Sequence, residues 1–146
     1  MKSLMHIVLV LVVNGSCFAE TWTVDDDGKA DFDNIQAAVD AASDGDEIIV
    51  MPGNYTSTSL FVIDLQGKEV LLRSAEGPLT TILNGENKRR VVSCTDGESS
   101  STIIDGFTIT NGSGTTGGGI TVIESSPNIQ NCIISENQTL QRGGGL

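Results

Sequence analysis

The residues most able to do chemistry in this chain are acidic, and the first group falls near the N-terminus. Asp25, Asp27 and Asp31 form the pattern Asp-x-Asp-Gly-x-x-Asp, which puts several carboxylates within one turn. Calcium takes oxygen-rich sets of this kind. The spacing lacks the full ligand series and distal glutamate of an EF-hand loop, so a solvated acidic turn is the competing reading. Calcium is the one cofactor this pattern suggests. A second, looser set consists of Asp64, Glu69, Asp96 and Asp105 with Arg73, Lys88, Arg89 and Arg90. Acid–base work needs such groups within hydrogen-bond reach of one another, and paired carboxylates of inverting hydrolases stand roughly 6.5 to 9.5 Å apart. No spacing in the sequence singles out a pair, so no catalytic residue is assigned.

What is absent narrows the chemistry further. The only histidine is His6, which lies in a segment with the features of an export signal. Lys2 gives that segment a positive start, Leu4 to Val13 form an apolar run, and Cys17-Phe18-Ala19 offers small residues at a cleavage site before Glu20. Such a run is too short to span a bilayer and reads as a signal peptide over residues 1–19. The mature chain, residues 20–146, then has no imidazole, which removes Ser-His, Cys-His and His-ligated zinc mechanisms. Loss of Lys2 moves the formal charge from −11 to −12. A balance this acidic, without a transmembrane segment in the mature chain, argues against nucleic acid and anionic membranes as partners. The signal peptide implies a secreted or cell-surface protein. Cys94 and Cys132 remain, either as a bridged pair or as small core residues.

The elements that would position these residues repeat along the chain. Gly117-Gly118-Gly119-Ile120 is matched by Gly143-Gly144-Gly145-Leu146 at an offset of 26, and Ile104 to Thr110 is matched by Ile129 to Ser135 at an offset of 25. Thr81 to Gly85 matches Thr102 to Gly106 at an offset of 21. A period of about 21 to 26 residues rich in short β-runs is the signature of a solenoid. Strands are expected at Thr21 to Val24, Glu47 to Val50, Leu60 to Ile63, Val70 to Leu72, Thr81 to Leu83 and Val91 to Ser93. Others fall at Thr102 to Ile104, Phe107 to Ile109, Ile120 to Val122 and Cys132 to Ile134. Ile82, either Ile103 or Ile104, Phe107, Ile109, Cys132 and Ile134 are expected to point inward. Ile35, Ala38, Val39 and Ala42 give one helix, about Asn34 to Ser43, with Asp33 and Gln36 spaced as a capping pair and Gly45 at its stop. Its apolar stripe suits a cap on the open end of the core.

The segment from Asp31-Phe32 to Tyr55, with Ile35-Gln36-Ala37-Ala38-Val39-Asp40-Ala41-Ala42, Asp44-Gly45-Asp46 and Pro52-Gly53-Asn54-Tyr55, resembles the opening of secreted right-handed parallel β-helix proteins. Pectin methylesterases and other pectate-lyase-like proteins begin in a similar way. The later half, Ile104-Asp105-Gly106-Phe107-Thr108-Ile109-Thr110-Asn111-Gly112 with its glycine triplets, resembles repeats of large bacterial surface β-helix proteins. It is more weakly similar to the repeats of polymorphic outer membrane proteins. The resemblance implies an all-β, right-handed parallel β-helix with an N-terminal capping α-helix, the cap over about 20–46 and the coils over about 47–146. Because Leu146 would begin a strand, further coils of the same chain are expected beyond it. The fold hosts many activities, and the enzyme signatures Asp-Pro-His, Asn-Thr-Asp, Gly-His-Gly and Asp-Phe-Ile-Phe-Gly are missing. The expected role is a non-catalytic module that binds a polysaccharide or cell-surface glycan. The alternative is the N-terminal part of a polysaccharide lyase, hydrolase or esterase whose catalytic coils lie downstream.

Overall fold

The computed structural model describes residues 18–142. The signal-peptide segment, apart from Phe18 and Ala19, and the second glycine triplet with Leu146 lie outside the described residues. Strand β1 (Thr21–Val24) is followed by the short helix α1 (Ile35–Ala41). A coil of three strands comes next: β2 (Glu47–Val50), β3 (Gly53–Tyr55) and β4 (Phe61–Asp64). The second coil is β5 (Leu71–Ser74), β6 (Thr81–Asn84) and β7 (Arg90–Cys94). The third has β8 (Ile103–Asp105), β9 (Thr108–Thr110), an extra strand β10 (Ser113–Thr116) and β11 (Ile120–Val122). The last described coil is β12 (Asn128–Gln130), β13 (Ile133–Ser135) and β14 (Gln138–Arg142).

Every strand pairing is parallel, between equivalent strands of successive coils. The first face stacks β1-β2-β5-β8-β12, the second β3-β6-β9-β13, and the third β4-β7-β11, while β10 pairs with β14 on a short fourth face. This is the expected parallel β-helix. Its interior consists of columns of side chains, one position per coil. Trp22, Ile48, Leu72, Ile104 and Ile129 are in register on the first face. Tyr55, Leu83, Ile109 and Ile134 form the column of the second face. Ile63, Val92 and Ile120 form that of the third and are fully buried. Coil-on-coil stacking at about 4.8 Å puts each aliphatic group in contact with its copies above and below, which hides apolar surface without a wide core.

The structure corrects several expectations. The coil-to-coil offset is not confined to the range of 21 to 26: Glu47 pairs with Leu71, an offset of 24, but Leu71 pairs with Ile103, an offset of 32. The match of Thr81 to Gly85 with Thr102 to Gly106 joins two different faces, since Ile82 pairs with Thr108 and Leu83 with Ile109. For the same reason Ile82 points outward and Leu83 is the fully buried neighbour. Ile134 belongs to the inner column, yet it is 36 % exposed because no described coil covers it.

The helix is also shorter than its pattern, and Asn34, not Asp33, is its N-cap: the Asn34 side chain accepts from the Ala37 N–H. Gly45 has φ +92° in the turn after the helix, beyond the C-cap Ala42. Ile35, Ala38 and Val39 of α1 are buried in the core cluster, as the capping role requires. The Lys68 ammonium donates to the Val39 and Asp40 carbonyls at 2.6 and 2.9 Å, a cation placed where the helix C-terminus is negative.

Candidate functional site

The early acidic turn does not gather its carboxylates. Asp31 accepts from both the hydroxyl and the N–H of Thr23, which holds its pKa below the usual carboxylate value. Asp27 is turned to Lys29, whose hydrogen bond and charge lower it likewise. Asp25 accepts from the Asp27 N–H. Among the described residues, no group of three Asp, Glu, Cys or His side chains is arranged to hold a metal ion.

Of the second set, Arg73, Asp105 and Glu69 turn to separate scaffold partners. Arg73 pairs with Glu47 at 2.5 Å on the outer surface of the first face. Asp105, its register partner, instead accepts from Gln130 and Asn131 one coil on. Glu69 accepts from the Ser99 hydroxyl. Asp64, at the end of β4, has its pKa raised by burial first and then by the charges of Asp96, Glu98 and Asp40. The cysteines are both free. Cys94 is buried, which drives its thiol up to about 12, and burial also raises the half-buried Cys132.

What does come together is the corner between the second and third faces. The turn Thr56 to Leu60, which joins β3 to β4, separates three adjoining recesses of about 390, 430 and 440 Å³. Ser59 lines all three, so together they form one broken trough across the coils. At one end α1 and its cap contribute Asn34, Gln36 and Asp40 opposite the hydroxyls of Ser57 and Thr58. In the middle, Leu60 and Phe61 face Asp40 and Asp64. At the other end Phe61 meets Lys88, Arg89 and Arg90, with Ser113 to Thr115 of β10 as the far wall.

Strand register builds the basic end. Phe61 and Arg90 are partners on β4 and β7, and residues paired in parallel strands point to the same side. The guanidinium therefore lies over the ring, 6.0 Å from its centroid, within cation–π range. An Arg90 Nη2 N–H donates to the Thr115 hydroxyl at 3.0 Å. Arg89 is mostly buried, pairs with Glu86 and donates to the Ser59 carbonyl at 3.1 Å, so it pins the dividing turn. Lys88 is largely exposed and stands 3.9 Å from Glu86.

Sequence reasoning had named Lys88, Arg89 and Arg90 but not their surroundings. Phe61 and Arg90 pair at an offset of 29, which the shorter offset of the sequence repeats conceals. It also missed Asp46 and Glu98, two buried acids. Asp46 accepts from the Glu20 and Ser43 N–H groups and the Trp22 indole, and Glu98 accepts from Gly67, Asp96 and Ser125. Both serve the scaffold.

Compared with family models and with curated proteins, the chain matches none. Among solved structures, it is similar to pectin methylesterase from carrot, with a TM-score of 0.60 and 18% sequence identity over 80% of this chain. It spans 40% of that chain's length. Stacked parallel faces, inner columns and this likeness agree: the chain has a parallel β-helix fold of the pectin-methylesterase kind.

Proposed function

We propose that the chain is an exported, non-catalytic β-helix module that binds a glycan in the trough beside Phe61. The observation that carries this reading is the trough's make-up. An aromatic ring and an exposed leucine lie among serine and threonine hydroxyls, the mixture of flat apolar surface and hydrogen-bonding groups that sugars present in return. Glu69, Asp105 and Arg73 each turn to a different scaffold partner, which supports a binding role over catalysis, because acid–base chemistry needs convergent groups. No helix among the described residues is long and apolar enough to cross a membrane. The test is a titration of the full chain against a polysaccharide panel, with Phe61→Ala as control. Saturable binding that Phe61→Ala weakens, without turnover, supports the module; no binding overturns it.

A second reading rests on the likeness to an esterase of which the chain spans 40%. In it, this chain is part of a carbohydrate-active enzyme with catalytic groups on other coils. Release of alcohol, unsaturated product or new reducing ends in the same titration would favour this reading.

A further inference from the structure

We propose that the Phe61–Arg90 end of the trough is an anion subsite, so that the bound glycan carries an acid group, either a carboxylate or a sulfate ester. The inference rests on the glycan-binding reading above and adds the class of ligand.

The first ground is local charge. The chain's formal charge is −11, yet the recess between β4 and β10 is lined by Lys88, Arg89 and Arg90 and by no carboxylate, and the one acid beside it, Glu86, is shared by Lys88 and Arg89 and leaves Arg90 uncompensated. The adjoining recess is the reverse, with Asp40 and Asp64 and no base. Charges a few ångströms apart act well inside the screening length of about 8 Å at physiological salt. An acid group therefore meets attraction at one end of the trough and repulsion in the middle, which orients the ligand.

The second ground is the state of Arg90. Two other arginines pair with carboxylates, Arg73 with Glu47 and Arg89 with Glu86. Arg90 has no carboxylate partner among the described residues, although the sequence contains 19 acidic side chains. Of the five N–H donors a guanidinium presents, only the one on Thr115 finds a protein acceptor among the described residues. Its plane is nevertheless held. Phe61 lies beneath it, and a Cβ on Gly114 would come within 2.8 Å of its Cγ and Nε, so the glycine leaves room for the side chain to lie along β10. A fixed guanidinium with free donors matches the paired oxygens of a carboxylate or sulfate.

The test uses oligomers of dextran and of cellulose, each in neutral, carboxymethylated and sulfated form at matched length, with the full chain, Arg90→Gln and Arg90→Lys. Trp22 fluorescence checks that each variant is folded. An acid form is expected to bind at least about tenfold tighter than its neutral parent, the scale of one charge-assisted contact. That preference is expected to vanish in Arg90→Gln, to survive in part in Arg90→Lys, and to weaken with salt. The ranking of carboxymethyl against sulfate forms identifies the acid. Equal binding of neutral and acid forms, or a preference that survives in Arg90→Gln, overturns the subsite while leaving the glycan reading standing. No binding by any form overturns both.

Discussion

The side-chain amide of Gln36 hydrogen-bonds both backbone groups of Asp64: its Oε1 accepts the Asp64 N–H at 2.8 Å and its Nε2 donates to the Asp64 carbonyl at 3.0 Å. Strand β4 is the edge strand of the third face on the side of α1, so one helix side chain does there what a further strand would do. An edge left open invites pairing with another chain. Gln36→Leu is expected to lower stability by about 1–2 kcal/mol through the two unmet backbone groups. Amide hydrogen exchange at Asp64 should quicken markedly, with Val92 on the neighbouring strand little changed. Unaltered protection at Asp64 would contradict the edge-capping role.

Glu98 links three coils, accepting from the Gly67 N–H at 2.9 Å, the Asp96 N–H at 3.0 Å and the Ser125 hydroxyl at 2.8 Å. Burial alone would raise its pKa, but these hydrogen bonds outweigh burial and hold it below the ordinary 4.5. Its contribution is therefore complete above the unfolded value and fades as pH falls through the lower folded one. Glu98→Gln is expected to cost about 1–3 kcal/mol at pH 7, and the gap from wild type should narrow below about pH 4.5. Urea unfolding at a series of pH values measures it; a gap that widens in acid would refute the assignment.

Asp46 ties the N-terminal strand to the turn after α1. Hydrogen bonds from Ser43 and Glu20 are the main causes of its lowered pKa, and it also receives the Trp22 indole N–H at 3.1 Å. Trp22 is the chain's single tryptophan. Asp46→Ala is expected to destabilise the fold by about 1–3 kcal/mol and to shift tryptophan emission to the red as the cap loosens. An unshifted spectrum in the folded variant would show that Asp46 does not hold this strand.

Two glycines near the basic end of the trough are expected to separate stability from binding. A Cβ on Gly112 would stand 1.9 Å from the Gly118 carbonyl oxygen, a backbone atom that cannot step aside. Gly112→Ala should cost at least about 2 kcal/mol. At Gly114 the atoms met belong to the Arg90 side chain, which can move. Gly114→Ala should therefore unfold near the wild-type midpoint while displacing Arg90 and weakening the acid preference. Equal thermal shifts in the two variants would refute the distinction.

The columns were legible in the sequence wherever a repeat carried an aliphatic residue at the same step, as in Ile109 and Ile134. They were not where the turns vary in length. The long connection from β5 to β8 slides the pattern, so Ile82 read as inner when Leu83 is. Strands β3, β10 and β12 were hidden because Gly53, Gly114, Asn128 and Gln130 are turn-type or polar residues held extended by neighbouring coils. At the site, the basic triplet was visible as composition. Its partner Phe61 was not, since their contact is a property of register and not of spacing. Asp46 and Glu98 looked like any surface acid, and only burial reveals them as clamps.

The added strand β10 has a consequence for what fits beside it. In the first two coils the corner between the second and third faces is a turn; in the third it becomes a strand, and β14 builds on it. The trough is therefore a berth with two ends, α1 at one and β10 at the other. Spanning the cap and three coils at about 4.8 Å per layer, it is roughly 14 Å long. Under the glycan-binding proposal, a ligand seated there is measured for length, which suits a chain terminus or a short branch better than the middle of a long polymer.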